Sequence, residues 1–268
     1  MGNVGHTDTA RRFTELHDSG IFVLANAWDA GTARLLADAG FAALGTTSAG
    51  LAHTLGRPDG VNAVTRDEAL ASAAAIAAAT ELPVSADLES GFGRTPQEVA
   101  ETIRRAGAAG LAGGSVEDST GDPHAPVRPL EEAVERVAAA AEAARSLDAP
   151  FVLTARAENY LYERPDLDDT VRRLRAFEAA GADVLFAPGL PDADAVRTVV
   201  GAVSRPVNVL MGDAAPPLTL ADLAALGVRR VSLGSALSRT AINAVRAAAR
   251  RVLDHGRFDF GETPTGAS

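Results

Sequence analysis

The chain of 268 residues contains no cysteine. Disulfides, thiolate nucleophiles and cysteine-ligated zinc are therefore excluded. Lysine is also absent, and all 25 basic residues are arginine. Schiff-base aldolases and pyridoxal-phosphate enzymes need a lysine amine, so both classes drop out. The net charge of −10 provides no basic surface for general nucleic-acid binding. The most apolar stretch, "ALASAAAIAAA", is short, alanine-rich and bounded by charges, so it reads as a buried helix rather than a membrane span. The start, "MGNVGHTDTARRF", lacks the apolar run of a signal peptide, and His6 stands where a myristoylation motif requires Ser or Thr. The expectation is a cytoplasmic protein with neither membrane nor nucleic acid as partner.

What is present is a hydrophobic content of 47%, enough for a large core in one domain. Runs rich in Val, Leu, Ile and Phe recur at 21–26, 41–46, 83–88, 110–117, 150–156, 183–187, 206–211 and 229–234. Alanine-rich segments with helical spacing follow them at 31–39, 65–80, 96–109, 130–148, 167–180, 192–203, 219–226 and 235–254. Strands alternating with helices imply parallel pairing through crossovers. Eight such units in this length predict an α/β fold, a (β/α)8 TIM-type barrel, with an open doubly wound sheet as the alternative. Thr65, Thr95-Pro96 and Thr219 read as helix starts, and Gly40, Gly107, Gly181 and Gly227 as helix ends. The expected division is a flexible segment over 1–12, one barrel domain over 13–255, and a tail over 256–268. In that tail, Phe258 and Phe260 are expected to dock before a frayed end.

Reactive groups in such a barrel collect at the C-terminal ends of the strands. Strand 1 ends in Asn26-Ala27-Trp28-Asp29, strand 2 in Thr46-Thr47-Ser48, and strand 3 in Asp87 and Glu89. Strand 4 ends in Glu117-Asp118, strand 5 in Arg156 and Glu158, and strand 7 carries Asn208. Asp87 and Glu89 flank Leu88, so simple alternation points both to one side. With Glu117 they supply three hard oxygen donors without His or Cys, a set suited to Mg²⁺ or Mn²⁺ rather than zinc. The other reading of these carboxylates is a set of solvated strand ends.

Arg156 closes the otherwise apolar strand "FVLTAR" and can hold a substrate carboxylate bidentately, or else pair with Glu158 or Glu117. "TTSAG", residues 46–50, offers backbone amides to an anion. "GFG" at 91–93 lacks the spacing of a dinucleotide fingerprint. Of the five histidines, His124 in the loop after strand 4 is the one placed to act as acid or base, against the plainer reading of a surface histidine.

The segments "ANAWDAGTARLLADAGFAALGTTSAG", "LGRPDG", "PVSADLESGFG", "GSVEDSTGD", "TARAEN" and "AAGADVLFAPGL" together resemble the isocitrate lyase/phosphoenolpyruvate mutase superfamily. "RRVSLGSAL" is similar to its carboxyvinyl-carboxyphosphonate phosphorylmutase-like members. The resemblance spans roughly residues 12 to 255 in unbroken order. It implies a barrel whose eighth helix is swapped between partners in a homotetramer built as a dimer of dimers. It also implies Mg²⁺ chemistry on an α-oxo acid or its enolate, and the expected substrate is a small 2-oxo or 2-hydroxy dicarboxylate. By motif, Asp87, Glu89 and Glu117 would hold the hydrated Mg²⁺, and Asp59 would support it and steer the reacting group. Thr47, Ser48 and Ala49 would bind the carboxylate, Trp28 would wall the pocket, and Arg156 would neutralise the oxyanion.

The loop "STGDPHAPVRP" after strand 4 departs from this pattern. The lyases carry Lys-(Lys/Arg)-Cys-Gly-His there and the mutases carry Lys and Asn, none of which is present. The resulting expectation is an enzyme, a lyase or hydrolase that cleaves a C–C bond beside a 2-oxo or 2-hydroxy carboxylate. The alternatives are a P–C bond enzyme and a barrel that binds metal and ligand without catalysis.

Overall fold

The computed structural model describes residues 2–212 and 215–260, and in it the threonines expected to start helices do so by capping. The side chains of Thr65, Thr95 and Thr219 accept from the amides of Glu68, Glu98 and Asp222, whose carboxylates reach back to the capping residues. Each such box satisfies amides that a helix start leaves unpaired. The helices are α1 (Gly2–Glu15), α2 (Ala30–Asp38), α3 (Ser48–Thr54), α4 (Arg66–Ala77), α5 (Pro96–Ala108), α6 (Leu130–Arg145), α7 (Leu167–Ala179), α8 (Ala193–Ala202), α9 (Leu220–Ala225) and α10 (Ala236–His255). The strands are β1 (Phe22–Asn26), β2 (Ala43–Gly45), β3 (Val84–Asp87), β4 (Gly113–Glu117), β5 (Val152–Arg156), β6 (Val184–Phe186), β7 (Val207–Leu210) and β8 (Arg230–Ser232). They pair in parallel in sequence order and close into a barrel, with Phe22 of β1 opposite Arg230 of β8. The closed ring gives the expected (β/α)8 barrel and removes the open-sheet alternative.

Two apolar layers hold this ring. Outward-facing strand residues, among them Leu44, Val116, Leu153 and Leu185, pack against helix residues such as Val99, Ile103, Leu174 and Phe177. A smaller cluster fills the N-terminal end of the barrel, where Phe22, Leu24, Ala43, Val152 and Val184 meet Ala10 and Phe13 of α1. Fully burying each large side chain contributes about 1.5–3 kcal/mol.

Several expectations change here. Residues 2–12 of the segment expected to be flexible are part of α1, because burial of Ala10 and Phe13 anchors that helix against the barrel end. Gly107 does not end its helix. It lies inside α5 where an added Cβ would meet Leu147 Cδ1 at 2.6 Å, and the left-handed position falls to Gly110. Phe258 and Phe260 stack edge to face on one another but stay exposed, so the pair is not docked on this chain. The frayed end expected after it lies outside the described residues. Among the described residues no helix is long and apolar enough to cross a membrane.

Candidate active site

The C-terminal rim of the barrel is built by strand ends whose polar residues bind one another across the ring. Asn26, ending β1, donates to the Thr46 carbonyl at 2.6 Å and accepts from the amides of Leu233 and Gly234, both at 2.9 Å. One buried amide side chain therefore ties the loops after β1, β2 and β8 together. In the turn after β2, Thr47 caps α3 by accepting from the Gly50 amide. Gly50 is required by packing: a Cβ there would meet Thr47 Cγ2 at 2.6 Å and Trp28 Cβ at 2.9 Å.

Asp87 ends β3 at the centre of the rim. Its amide donates to Thr46 Oγ1 at 2.9 Å, and its Oδ2 accepts from the Ser48 amide at 3.1 Å. Its Oδ1 accepts from Arg156 Nη1 at 3.2 Å. The same Nη1 lies 3.2 Å from Glu117 Oε2, while Arg156 Nε donates to Glu158 Oε1 at 2.9 Å. Phe186 places its ring under the guanidinium, 5.1 Å from centroid to Cζ. Ser119 donates to the other Glu117 oxygen at 2.7 Å.

Glu89 reaches this cluster by a different route from the one alternation suggests. β3 stops at Asp87, and Glu89 adopts a left-handed backbone with φ of 46°. That costly conformation persists because its surroundings fix it. Arg136 of α6 clamps the turn beyond it by donating to the Ser90 and Gly93 carbonyls at 2.7 Å and the Arg94 carbonyl at 3.2 Å.

The electrostatics are lopsided. Burial, reinforced by Asp87, Glu117 and Asp59, pushes Glu89 up to about 8. Burial and the charge of Asp87 raise Asp59. Burial raises Glu117 against the pull of Arg156, and raises Glu158 to about 8. Arg156 stays protonated, because Glu158, Glu117 and Asp87 outweigh the cost of burying it. Carboxyls raised this far keep their protons near neutral pH, and a positive charge brought among them would favour proton release.

Hard oxygen donors suit a hard divalent cation. Among the described residues no three Asp, Glu or His side chains already converge on one point at ligand spacing. Arg156 Nη1 stands between Asp87 and Glu117. Mg²⁺ takes one or two carboxylates and keeps several waters, so this donor set still fits it.

A cavity of about 160 Å³ opens beside this cluster and runs down into the barrel. Thr47, Ser48, Ala49, Asp59, Asp87, Arg156 and Asn208 line it. Trp28 and Glu89 line a neighbouring crevice behind the turn at residues 46–48, so Trp28 does not wall the main cavity. His124 is not brought to the site. It is exposed in a hairpin closed by the Ser119–Val127 bridge, by Thr120 Oγ1 on the Ala125 carbonyl, and by its own amide on Asp122.

Four contributors escaped the sequence reading: Phe186, Tyr162, Ser232 and Arg230. Tyr162 bonds to Ser119, and burial beside Glu117 and Glu158 pushes it up to about 12, so it keeps its proton. Ser232 and Arg230 line the cavity floor. Their signal was parity: both occupy the inward positions of β8, on either side of Val231.

Residues 13–253 match the family model described as phosphoenolpyruvate phosphomutase. The chain belongs to this family. The wider group is the phosphoenolpyruvate mutase/isocitrate lyase superfamily, and this member is an enzyme of the lyase and mutase type. A crystal structure of a Burkholderia cenocepacia protein described as a lyase/mutase shares 53% sequence identity with a TM-score of 0.93, over 97% of this chain and 94% of that one. Oxaloacetate decarboxylase of Chromohalobacter salexigens is 32% identical over 238 residues, covering 85% of this chain and 79% of its own. Oxaloacetate acetylhydrolase, solved with its product oxalate, shares 27% identity with a TM-score of 0.87 over 98% of this chain and 91% of that one.

Proposed function

We propose that the protein is a Mg²⁺-dependent enzyme that breaks a C–C bond next to a 2-oxo or 2-hydroxy carboxylate through an enolate. The observation that carries this reading is Arg156, which lines the rim cavity with Asp87 and Asp59 and lies 3.2 Å from both Asp87 and Glu117. Similarity to an oxaloacetate decarboxylase and an oxaloacetate acetylhydrolase, which act beside a 2-oxo carboxylate, supports it.

Asp87, Glu89 and Glu117 would hold the cation, with Asp59 beside them. When bound, the cation supplies Lewis-acid polarisation of the substrate's oxo or hydroxyl oxygen. The chain's own groups do the rest. The turn at Thr47, Ser48 and Ala49 orients the carboxylate next to the breaking bond. The Ser48 amide already binds a carboxylate, that of Asp87, at 3.1 Å. Arg156 stabilises the negative charge that develops on the enolate, and its fixed position in a buried site makes that interaction stronger than in water. Phe186 and the three carboxylates hold the guanidinium in place before substrate arrives. His124 is exposed on its hairpin, and Tyr162, next to Ser119 and Glu117, keeps its proton.

Helix α10 supports the swapped, dimer-of-dimers assembly. Of its twenty residues only Ser238 is buried, while Val245 and Leu253 are 70% and 83% exposed. An apolar stripe left bare on one chain is covered when a partner exchanges the helix. Light scattering should then give a tetramer mass.

The functional test is release of pyruvate, oxalate or glyoxylate from a panel of 2-oxo and 2-hydroxy acids with Mg²⁺, and its loss on chelation. Absence of all three products would reject the reading. Turnover of phosphonopyruvate seen by phosphorus NMR would replace it with P–C chemistry.

A further inference from the structure

Arg230 begins β8 with its side chain turned into the barrel. A barrel interior is normally filled by layers of Val, Ile and Leu. Here a guanidinium only 3% exposed crosses the interior instead. Its Nε donates to Asn208 Oδ1 on β7 at 2.9 Å, and its Nη2 donates to Thr154 Oγ1 on β5 at 2.8 Å. Its Nη1 lies 3.4 Å from His17 Nε2. His17 Nδ1 sits 2.8 Å from the Phe13 carbonyl, so Nδ1 carries the ring proton and Nε2 accepts.

All three partners are neutral. Among the described residues no carboxylate pairs with Arg230, whereas Arg156 pairs with three. An unpaired buried cation is strongly destabilising unless an anion joins it. Arg230, Asn208 and Ser232 line the same cavity as Arg156. Three of the five guanidinium N–H groups are engaged, which leaves donors for a ligand. Thr154 and Arg156 are two residues apart on β5, so the Arg230 guanidinium sits about 7 Å along the strand below the rim.

We propose that Arg230, with Asn208 and Ser232, forms a second anion subsite at the cavity floor that receives the distal carboxylate of a short dicarboxylate substrate. This rests on the reading of the rim as a carboxylate-processing site and assigns the residues that hold the far end of the expected diacid. The rim engages the carboxylate beside the reacting bond, and the floor reads the other end. A monocarboxylate of the same head group leaves Arg230 uncompensated and binds less tightly.

Calorimetric titration with Mg²⁺, comparing L-malate with L-lactate, tests the subsite. The two acids share the 2-hydroxy carboxylate and differ in the second carboxylate. The wild type should bind malate tighter by roughly tenfold or more, as expected for a charge-assisted hydrogen bond. Arg230→Gln should remove that preference and leave lactate affinity unchanged, and Arg230→Lys should restore part of it. Equal loss for both acids, or an undiminished preference for malate in Arg230→Gln, would overturn the proposal. Bromide soaked into wild-type crystals gives a readout that needs no variant: an anomalous peak at Arg230 supports the subsite, and its absence refutes it. If wild-type protein binds neither acid, the rim reading and the diacid assignment both fall, and the bromide result decides whether Arg230 binds anions at all.

Discussion

Arg156 and Arg230 lie one side-chain layer apart in the same barrel, in opposite surroundings. Around Arg156 the carboxylates of Asp87, Glu117 and Glu158 lie within 3.2 Å of the guanidinium, and Asp59 stands close enough to raise Glu89. Around Arg230 every partner is uncharged. Burial drops Arg230 to about 9, while the carboxylates hold Arg156 protonated despite its burial. The rim therefore has more carboxyls than cations, and the floor has a cation without a carboxylate. In the proposed reading a cation joins the rim and an anion reaches the floor. The apolar shell outside the strands is continuous past both arginines and does not distinguish them.

The largest expected effect breaks this comparison at the rim. Arg156→Gln should lower turnover by about 10²–10³-fold, because the charge that develops on the enolate loses its buried countercharge. Steady-state kinetics on the acid that turns over checks this, and Arg230→Gln should act mainly on the affinity for diacids.

The next effect is on stability. Arg156→Met strands three buried carboxylates and should cost about 3–5 kcal/mol in urea denaturation without metal. Arg230→Met removes an unpaired charge but also the donors to Asn208 and Thr154, so stability should stay within about 1 kcal/mol of wild type. Equal costs for the two variants would mean that the two layers are not electrostatically different.

The smallest effect concerns acid stability. Burial and Arg230 push His17 down to about 3, from an ordinary value of 6.5. Between these values the unfolded chain binds a proton that the folded chain does not, so stability should fall as pH drops from about 6.5 towards 3. His17→Gln should flatten that part of the pH–stability curve. An unchanged curve would show that His17 is not held neutral by this environment.

Much of the rim was legible in the sequence because polar residues cluster where apolar strands end. Asp87, Glu117, Arg156 and the turn at 46–49 follow from the strand pattern alone. Glu89 was placed at the cluster for the wrong reason, since its left-handed φ is set by the turn that Arg136 clamps from α6. Arg230 was missed because it opens its strand, where a charge reads as solvated. Its inward parity with Ser232 was visible, but its partners Asn208, Thr154 and His17 are 22, 76 and 213 residues away. His124 and Phe258 show the reverse error. Residue type suggested a site and a docked pair, while the local hairpin and the exposed tail keep both at the surface.

Calorimetric titration of Mg²⁺ into the wild type and Glu117→Gln at pH 8 tests most directly whether the rim is a cation site. Wild-type protein should show a saturable site with proton release, because the raised carboxylates give up protons when the ion binds. Glu117→Gln should bind at least about tenfold more weakly, as expected for losing a charged ligand or a group that holds the ligands. Indistinguishable Mg²⁺ affinity in the two proteins, or no binding by the wild type, would contradict the account.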